Sequence, residues 1–475
     1  MISLIIFVFC ILFVYFYKVR YFKYWKERGV KHDEPTFLFG NNFKNYLFQS
    51  NRVELITDVY CRYPEEKVVG FYRSSTPELI IRDPEIIKTV LTSDFAHFYA
   101  RGINPNNNYI EPVLKNLAFV EGDLWKGLNL QMRPAFSIGK LKSMFPLMIE
   151  RSERLQKIAL TKVKENHILD AQDLMGKYVA DFIGSCGFGL DTEALNNEKS
   201  EFHQLVKDIF RPPHIQIIKF VLKMMFPILF AYLKFFDHVE KRISSIVNQV
   251  KESRDYKPSG TNDYLDQLLE FKEKGPVVLE SIENFDAEGK PNHFEFKFDN
   301  DMMIGQVFLL FAGGFETSTS ATSYVLHELA FNPHVQRKVQ ENIDRVLEKH
   351  DNKLSFEAVN EMTYLEWTLK EGLRKFPSVG YLMRKCTKQY TFKDLGFTIN
   401  KGVNIMIPIQ ALNMDPKYWH DPEEFRPERF SPEEFTNVQK DVFFVFGVGP
   451  RKCIGERLGL KLSLTGLAAI LSKFT

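Results

Sequence analysis

The sequence predicts a mainly α fold with small β-sheets, and three observations carry that reading. From Asp123 to Thr475 the apolar residues recur mostly at helical period, the longest candidate running from about Asp299 to Phe331. Strand-like pieces are short: a pair joined by a turn in Lys67 to Ile81, then Tyr390 to Phe392, Phe397 to Ile399 and Val403 to Ile407. No Pro/Gly/Ser-rich linker, internal repeat or low-complexity tract divides the 475 residues after about the first forty, so 41–475 is expected to form one large domain.

Taken in order, Met1 to Tyr17 is almost wholly apolar, and Lys18, Arg20, Lys23, Lys26 and Arg28 follow at once. A cleavable signal carries its charge before the apolar stretch and ends in small residues; this segment does neither. We expect residues 1–17 to be a membrane anchor and 18–40 a basic linker kept cytosolic by its charge. A helix of that length spans about 25 Å, which suits the thin endoplasmic-reticulum membrane. In Lys67 to Ile81 the turn is expected at Ser75-Thr76-Pro77, and Asp83-Pro84 caps a short helix to Leu91. Between Arg211 and Phe236 an Ile/Leu/Phe/Met-rich stretch is broken by Pro212, Pro213 and Pro227, so it is not one continuous spanning helix. Either it packs as core, or it dips into the membrane surface beside an entrance for apolar ligands. Asn332-Pro333 stops the long helix and starts the next, and a further helix is expected over Tyr364 to Phe376.

A net charge of +2 with 26% charged residues argues against nucleic acid as a main partner. The five cysteines (Cys10, Cys61, Cys186, Cys386, Cys453) are odd in number and share no paired spacing. That fits a reducing compartment and excludes a disulfide scaffold or a structural zinc site. The 44 phenylalanines suit a greasy interior or cavity.

Residues Phe446 to Gly455 read Phe-Gly-Val-Gly-Pro-Arg-Lys-Cys-Ile-Gly, followed by an apolar helical stretch from Ile454 to Leu471. Thiolate, not thiol, binds metal, and a cysteine pKa falls near a cation and a helix N-terminus; Arg451 and the helix after Cys453 supply both. Gly447, Gly449 and Gly455 allow positive φ and close approach of backbone to a flat ligand. A single thiolate so placed is the arrangement that holds iron in heme-thiolate oxygenases.

Within the long helix sits Gly313-Gly314-Phe315-Glu316-Thr317-Ser318. Two interior glycines cost about 1 kcal/mol each relative to alanine, which marks close approach by a ligand or a local distortion. An adjacent acid and alcohol can pass on the two protons that O–O cleavage requires. Hydroxyl residues continue to Ser323, making this helix too polar to span a bilayer. Glu371 and Arg374 share a helix face, and Phe425-Arg426-Pro427-Glu428-Arg429-Phe430 offers a second arginine between aromatic residues. A buried glutamate held by two arginines would pin the cysteine loop to that helix.

Together these four segments, in this order and spacing, resemble a cytochrome P450, and the likeness runs from the apolar N-terminus to the end of the chain. Asp94 to Gly102 and the run from Phe376-Pro377 to Thr387 look most like the insect microsomal family 6 enzymes. The resemblance implies the cytochrome P450 fold and a heme b cofactor with Cys453 as axial ligand, in the loop opened by Phe446. It implies Glu316 and Thr317 as the proton-delivery pair and Glu371, Arg374 and Arg429 as a scaffold triad. Heme propionates would be held by Trp125, Arg384 and Arg451, with Arg101 as a further contact. Electrons would come from NADPH-cytochrome P450 reductase, with cytochrome b5 as a second donor, docking near Lys126 and Lys452. The enzyme would be an endoplasmic-reticulum monooxygenase inserting one oxygen atom from O2 into lipophilic small molecules: foreign compounds, plant defence chemicals, or endogenous lipids and hormones.

Two departures from the family pattern stand out. Four residues after Trp125 the family carries an arginine facing a propionate; here it is Asn129, which can hydrogen-bond a carboxylate but brings no charge. Arg133, one turn later, is the candidate to compensate, and heme is expected to be held less tightly. The family continues past the cysteine helix into small strands that roof the substrate cavity; this sequence stops at Thr475, so either it is incomplete or the roof is lacking, which would widen the cavity. Both departures favour a rival reading, a heme- or ligand-binding relative without turnover. The intact Glu316-Thr317 pair and the complete cysteine loop speak against it.

Overall fold

The computed structural model describes residues 7, 9, 11–16, 22–103, 110–165, 168–190, 201–225, 229, 230, 232–261 and 263–474. The expected 1–17 anchor is only partly among them, and among the described residues no helix is long and apolar enough to cross a membrane. The strands are β1 (Val68–Arg73), β2 (Thr76–Ile81), β3 (Val277–Phe285), β4 (Pro291–Phe296), β5 (Leu382–Lys385), β6 (Tyr390–Phe392), β7 (Phe397–Ile399) and β8 (Asn404–Ile407). The helices of ten residues or more begin with α1 (Arg52–Arg62), α2 (Gly122–Met132), α3 (Ile138–Glu165), α4 (Ala171–Phe188), α5 (Glu201–Phe210) and α6 (His214–Met225). They continue with α7 (Asp237–Ser253), α8 (Tyr264–Glu273), α9 (Asn300–Phe331), α10 (Pro333–Lys349), α11 (Thr363–Lys375) and α12 (Glu456–Leu471). The architecture is mainly α with small sheets, as the sequence predicts.

The chain forms two compact units. The first gathers Met1–Ile103, Arg374–Glu424 and Phe435–Lys452. Its four-stranded sheet has the order β1-β2-β8-β5, with β2 and β8 parallel and the other neighbours antiparallel. The β1–β2 turn falls one residue earlier than expected, because Ser74 takes φ 52° and Thr76 already pairs with Arg73. Pro77 is tolerated in β2 because pairing with β8 starts only at Glu78, so its missing N–H costs no ladder bond there. Val69, Phe71, Ile80 and Met406 pack against Ile56 and Val59 of α1. Trp25, within the expected basic linker, is wholly buried: its ring fills the space over Gly70 and its Nε1 donates to the Phe71 carbonyl at 3.0 Å. Burying a large side chain of this kind contributes on the order of 2–3 kcal/mol.

The second unit gathers Asn104–Leu373, Phe425–Glu434 and Cys453–Thr475. The helix α9 runs unbroken, and Asp299 caps it by accepting from the Met302 N–H at 2.7 Å. Along one side lies α4, almost entirely buried; α12 packs against α3 and α9, with Gly466 set closely on the Tyr178 ring. Two hydroxyls of the second half of α9 bond back within the helix, Thr322 Oγ1 to the Ser318 carbonyl at 2.8 Å and Ser323 Oγ to the Thr319 carbonyl at 2.7 Å, so these polar residues sit there without loss of pairing. Pro212 and Pro213 precede α6, which leaves Ile215, Ile218 and Phe220 exposed; Pro227 lies outside the described residues. One element that the sequence reading does not single out is a strand pair: β3 and β4 form an antiparallel hairpin with an irregularity between Glu280 and Phe285.

Candidate functional site

In the cysteine segment, Gly447 and Gly449 take φ 72° and 73°, as expected. Any side chain at Gly449 would also collide with the Leu91 carbonyl oxygen, so this glycine is demanded twice, by its dihedral and by its neighbour. Gly455 does not follow the expectation: its φ is −91°, ordinary for any residue, and its role is to stand at the N-cap of α12. Cys453 lies two residues before that cap, exposed and outside any disulfide. The first turn of α12, the positive end of the helix dipole, thus begins next to the thiol, where a negative charge is favoured.

Three cations of the first unit form a group. Arg451 is buried, its Nε donating to the Tyr99 carbonyl at 3.0 Å, and its own carbonyl accepts from Arg101 Nη2 at 3.2 Å. Arg384 sits on β5, buried, with Nη1 on the Met383 carbonyl at 2.7 Å and Nε without a partner among the described residues. Burial, and then the charge of Arg101, push the Arg384 guanidinium down to about 9. A buried cation beside a second cation is a site built for an anion, since an isolated buried charge costs several kcal/mol unless paired. The carboxylates of a heme b fit that requirement. Phe446, in the same unit, is half-buried.

On α9, Thr317 Oγ1 donates to the Gly313 carbonyl at 2.7 Å and Ser320 Oγ donates to Glu316 Oε1 at 3.2 Å. Both Glu316 and Thr317 are half-buried. The two glycines have different reasons. Gly314 lets Ile183 of α4 approach, since an added Cβ would lie 2.9 Å from its Cδ1, whereas Gly313 is exposed and meets only ordinary contacts. Helix-on-helix packing therefore accounts for one glycine, and the open position is left one turn before Thr317.

Glu371 is wholly buried on α11. Its Oε1 accepts from the Arg426 N–H at 3.0 Å and from Arg429 Nε at 3.3 Å, which ties the Pro427–Phe430 turn to the helix. Glu428 of that turn accepts from Lys338 Nζ at 2.6 Å and the Tyr364 hydroxyl at 2.9 Å. Arg374, at the end of α11 and also fully buried, donates to the carbonyls of Asn413 at 2.8 Å and Pro422 at 2.7 Å, and its guanidinium lies 5.3 Å from the Trp419 ring.

Trp125 is buried on α2 and Asn129 is half-buried on the same helix. Arg133, expected to compensate for Asn129, is exposed at the C-cap of α2. Lys126 Nζ donates to the Glu280 carbonyl at 2.6 Å, and Lys452 is exposed. Sequence reasoning missed Ser320, which holds Glu316, along with the Leu91 and Tyr99 carbonyls. A hydroxyl four residues after an acid on a helix was a readable signal for the first; backbone acceptors distant in sequence leave none.

Comparison with known proteins follows the same lines. Residues 31–475 match the family model described as Cytochrome P450. The chain is 32% identical over 464 residues to the protein named Cytochrome P450 6B6 of Helicoverpa armigera, covering 97% of this chain and 89% of that one. It is 34% identical over 476 residues to Cytochrome P450 6B5 of Papilio glaucus, covering 98% and 95%. With Probable cytochrome P450 6a23 of Drosophila melanogaster it shares 32% identity over 453 residues, 94% and 88% of the two chains.

Proposed function

The chain belongs to the cytochrome P450 family, and from that premise we propose that Cys453 is the thiolate ligand of its heme, with Arg384, Arg451, Arg101 and Trp125 holding the propionates. The protein is a heme monooxygenase, an oxidoreductase that acts on foreign or endogenous compounds. Heme b, when bound, supplies the oxygen chemistry, inserting one atom of O2 into a substrate while the other becomes water. The protein's part is ligation, charge balance and proton handling. Glu316 and Thr317 carry the protons, with Ser320 holding the carboxylate oxygen it donates to. Glu371, Arg374 and Arg429 brace the cysteine loop. The intact acid–alcohol pair speaks against the rival reading as a ligand-binding relative.

As a member of this family it takes electrons from a redox-partner reductase and works on lipophilic molecules. The finer assignment is NADPH-cytochrome P450 reductase, with cytochrome b5 as a second donor, meeting the protein near Lys126 and Lys452. Location on the cytosolic face of the endoplasmic-reticulum membrane follows from the apolar 1–17 segment and the basic residues behind it. The exposed Ile215, Ile218 and Phe220 of α6 support a second membrane contact.

The observation that carries the cofactor assignment is Arg384, a buried guanidinium whose Nε lacks a partner among the described residues while a like charge stands beside it. The test is Cys453→Ser. Heme uptake and the thiolate-type absorption of the reduced, carbon-monoxide-bound protein are expected to vanish together with NADPH-dependent oxidation. A serine protein with unchanged spectrum and turnover would overturn the assignment.

A further inference from the structure

We propose that the β3–β4 hairpin is a cap supplied from elsewhere in the chain, which positions α2 to retain heme, with Glu283 and Ser281 as positioning residues. The inference rests on the heme reading above and concerns the helix that bears Trp125 and Asn129.

The helix α2 starts at Gly122, and its own N-cap residue, Glu121, makes no side-chain cap. The cap comes instead from the hairpin: the Asp123 N–H donates to Glu283 Oε2 at 3.1 Å. Gly122 takes φ 57°, and the Glu283 carboxylate occupies the space where a side chain would start, so the glycine is matched to this contact. The contact is answered from the helix side. Asp123 Oδ1 accepts from the Ile282 N–H at 2.7 Å and Oδ2 from Ser281 Oγ at 2.6 Å. Each element therefore satisfies the other's unpaired N–H, as the two ends of a capping box do within one helix.

The hairpin is shaped for this. Ser281 is buried, and its Oγ also accepts from the N–H groups of Glu283 at 3.1 Å and Asn284 at 2.8 Å. That turn lies inside the irregularity between Glu280 and Phe285, so the residues that leave the β ladder are those that grip α2. Further along, Lys126 Nζ donates to the Glu280 carbonyl at 2.6 Å and Phe296 of β4 lies against Gly127. Contacts thus run from Gly122 to Gly127, on either side of the buried Trp125. Where the family pattern relies on an arginine at Asn129 to hold a propionate, here a fixed helix would present Trp125 and the asparagine amide without reorganisation.

The experiment uses the full-length heme-loaded protein. It follows heme transfer to excess apo-globin together with hydrogen exchange of the α2 amides. Glu283→Ala is expected to speed heme loss about fivefold, the scale of a lost helix cap, and to raise exchange at Asp123 to Lys126. Glu283→Gln should restore both, because its amide oxygen still accepts the Asp123 N–H. Ser281→Ala should act in the same direction as Glu283→Ala with the carboxylate intact. Faster exchange with an unchanged heme off-rate would reduce the hairpin to a structural cap and overturn the proposal, as would unchanged exchange. A wild-type protein that takes up no heme would instead remove the reading on which the proposal rests.

Discussion

Glu371 Oε1 lies 3.3 Å from Arg429 Nε, and neither side chain is more than 1% exposed. Deleting one member of such a pair leaves a buried charge with its partner gone, at a cost of about 3–5 kcal/mol. Arg429→Leu is therefore expected to lower the denaturation midpoint sharply and to reduce heme content on expression. The double variant Glu371→Leu with Arg429→Leu should recover part of the loss, since the carboxylate that loses its Arg429 partner is removed as well. A double-mutant cycle in urea measures the coupling.

Arg384 makes the heme-free and heme-loaded proteins respond in opposite directions. Burial and then Arg101 depress its guanidinium from its ordinary value to about 9, so the folded chain binds that proton less tightly than the unfolded one. Below about pH 9 the heme-free fold carries the full cost of this charge, and the cost fades as pH rises from there toward the ordinary guanidinium range. Arg384→Gln should thus stabilise the heme-free protein at pH 7 by about 1–3 kcal/mol, with the gap narrowing at pH 10. The same substitution should speed heme loss from the loaded protein. Urea midpoints of the heme-free forms and transfer kinetics of the loaded forms read the two effects separately.

Thr317 and Glu316 are expected to matter for turnover and not for heme binding. Thr317→Ala removes the hydroxyl bonded to the Gly313 carbonyl, and Glu316→Ala removes the acid held by Ser320. Each should reduce product formation about a hundredfold, the lower range for general acid–base groups, with heme content unaltered. Thr317→Ser should retain most of the rate because it keeps the hydroxyl. Equal loss in the serine and alanine variants would mean that the methyl group, not the proton donor, is what matters.

Gly449→Ala places a methyl group against the Leu91 carbonyl in a backbone with φ 73°. The dihedral alone costs about 1–2 kcal/mol for a residue with a Cβ, and the collision adds to it. Reduced heme content is expected. Gly455→Ala, at φ −91° with its nearest contact 3.8 Å from the added atom, should be nearly neutral and serves as the paired control.

The contrast between those two glycines shows where a sequence stops informing. Elements written in local chemistry were legible: Asp299 and Asn332-Pro333 bound α9 to within a residue, and Asp83-Pro84 caps its short helix as expected. The cysteine loop was legible for the same reason, being contiguous. The β3–β4 hairpin was not. Its strands are mostly exposed and acidic, and Ser281 to Asn284 break the alternation because they bond to α2 about 160 residues away. Strand β5 was hidden likewise, as four residues, two apolar and two basic, that pair with the distant β8 and, at Lys385, with Ala100. Which glycine answers to a dihedral and which to a neighbour is likewise a tertiary fact.

Membrane contact by α6 can be separated from the N-terminal segment because the two are distinct in structure. Trp25 is wholly buried, Gly40 bridges to Arg73 and His32 to Gly70, so removing 1–40 would damage the first unit; removing 1–20 would not touch these contacts. The shortened protein is expected to bind anionic phospholipid vesicles still, through Ile215, Ile218 and Phe220, which are 57%, 54% and 48% exposed. Burial of each such side chain in the interface contributes up to about 1.5–3 kcal/mol, so Ile218→Glu should weaken vesicle binding at least tenfold. Because the side chain is already in water, fold stability in solution should stay within about 0.5 kcal/mol of the parent. Vesicle co-sedimentation set beside urea unfolding distinguishes the two, and unchanged sedimentation of the glutamate variant would place α6 away from the lipid.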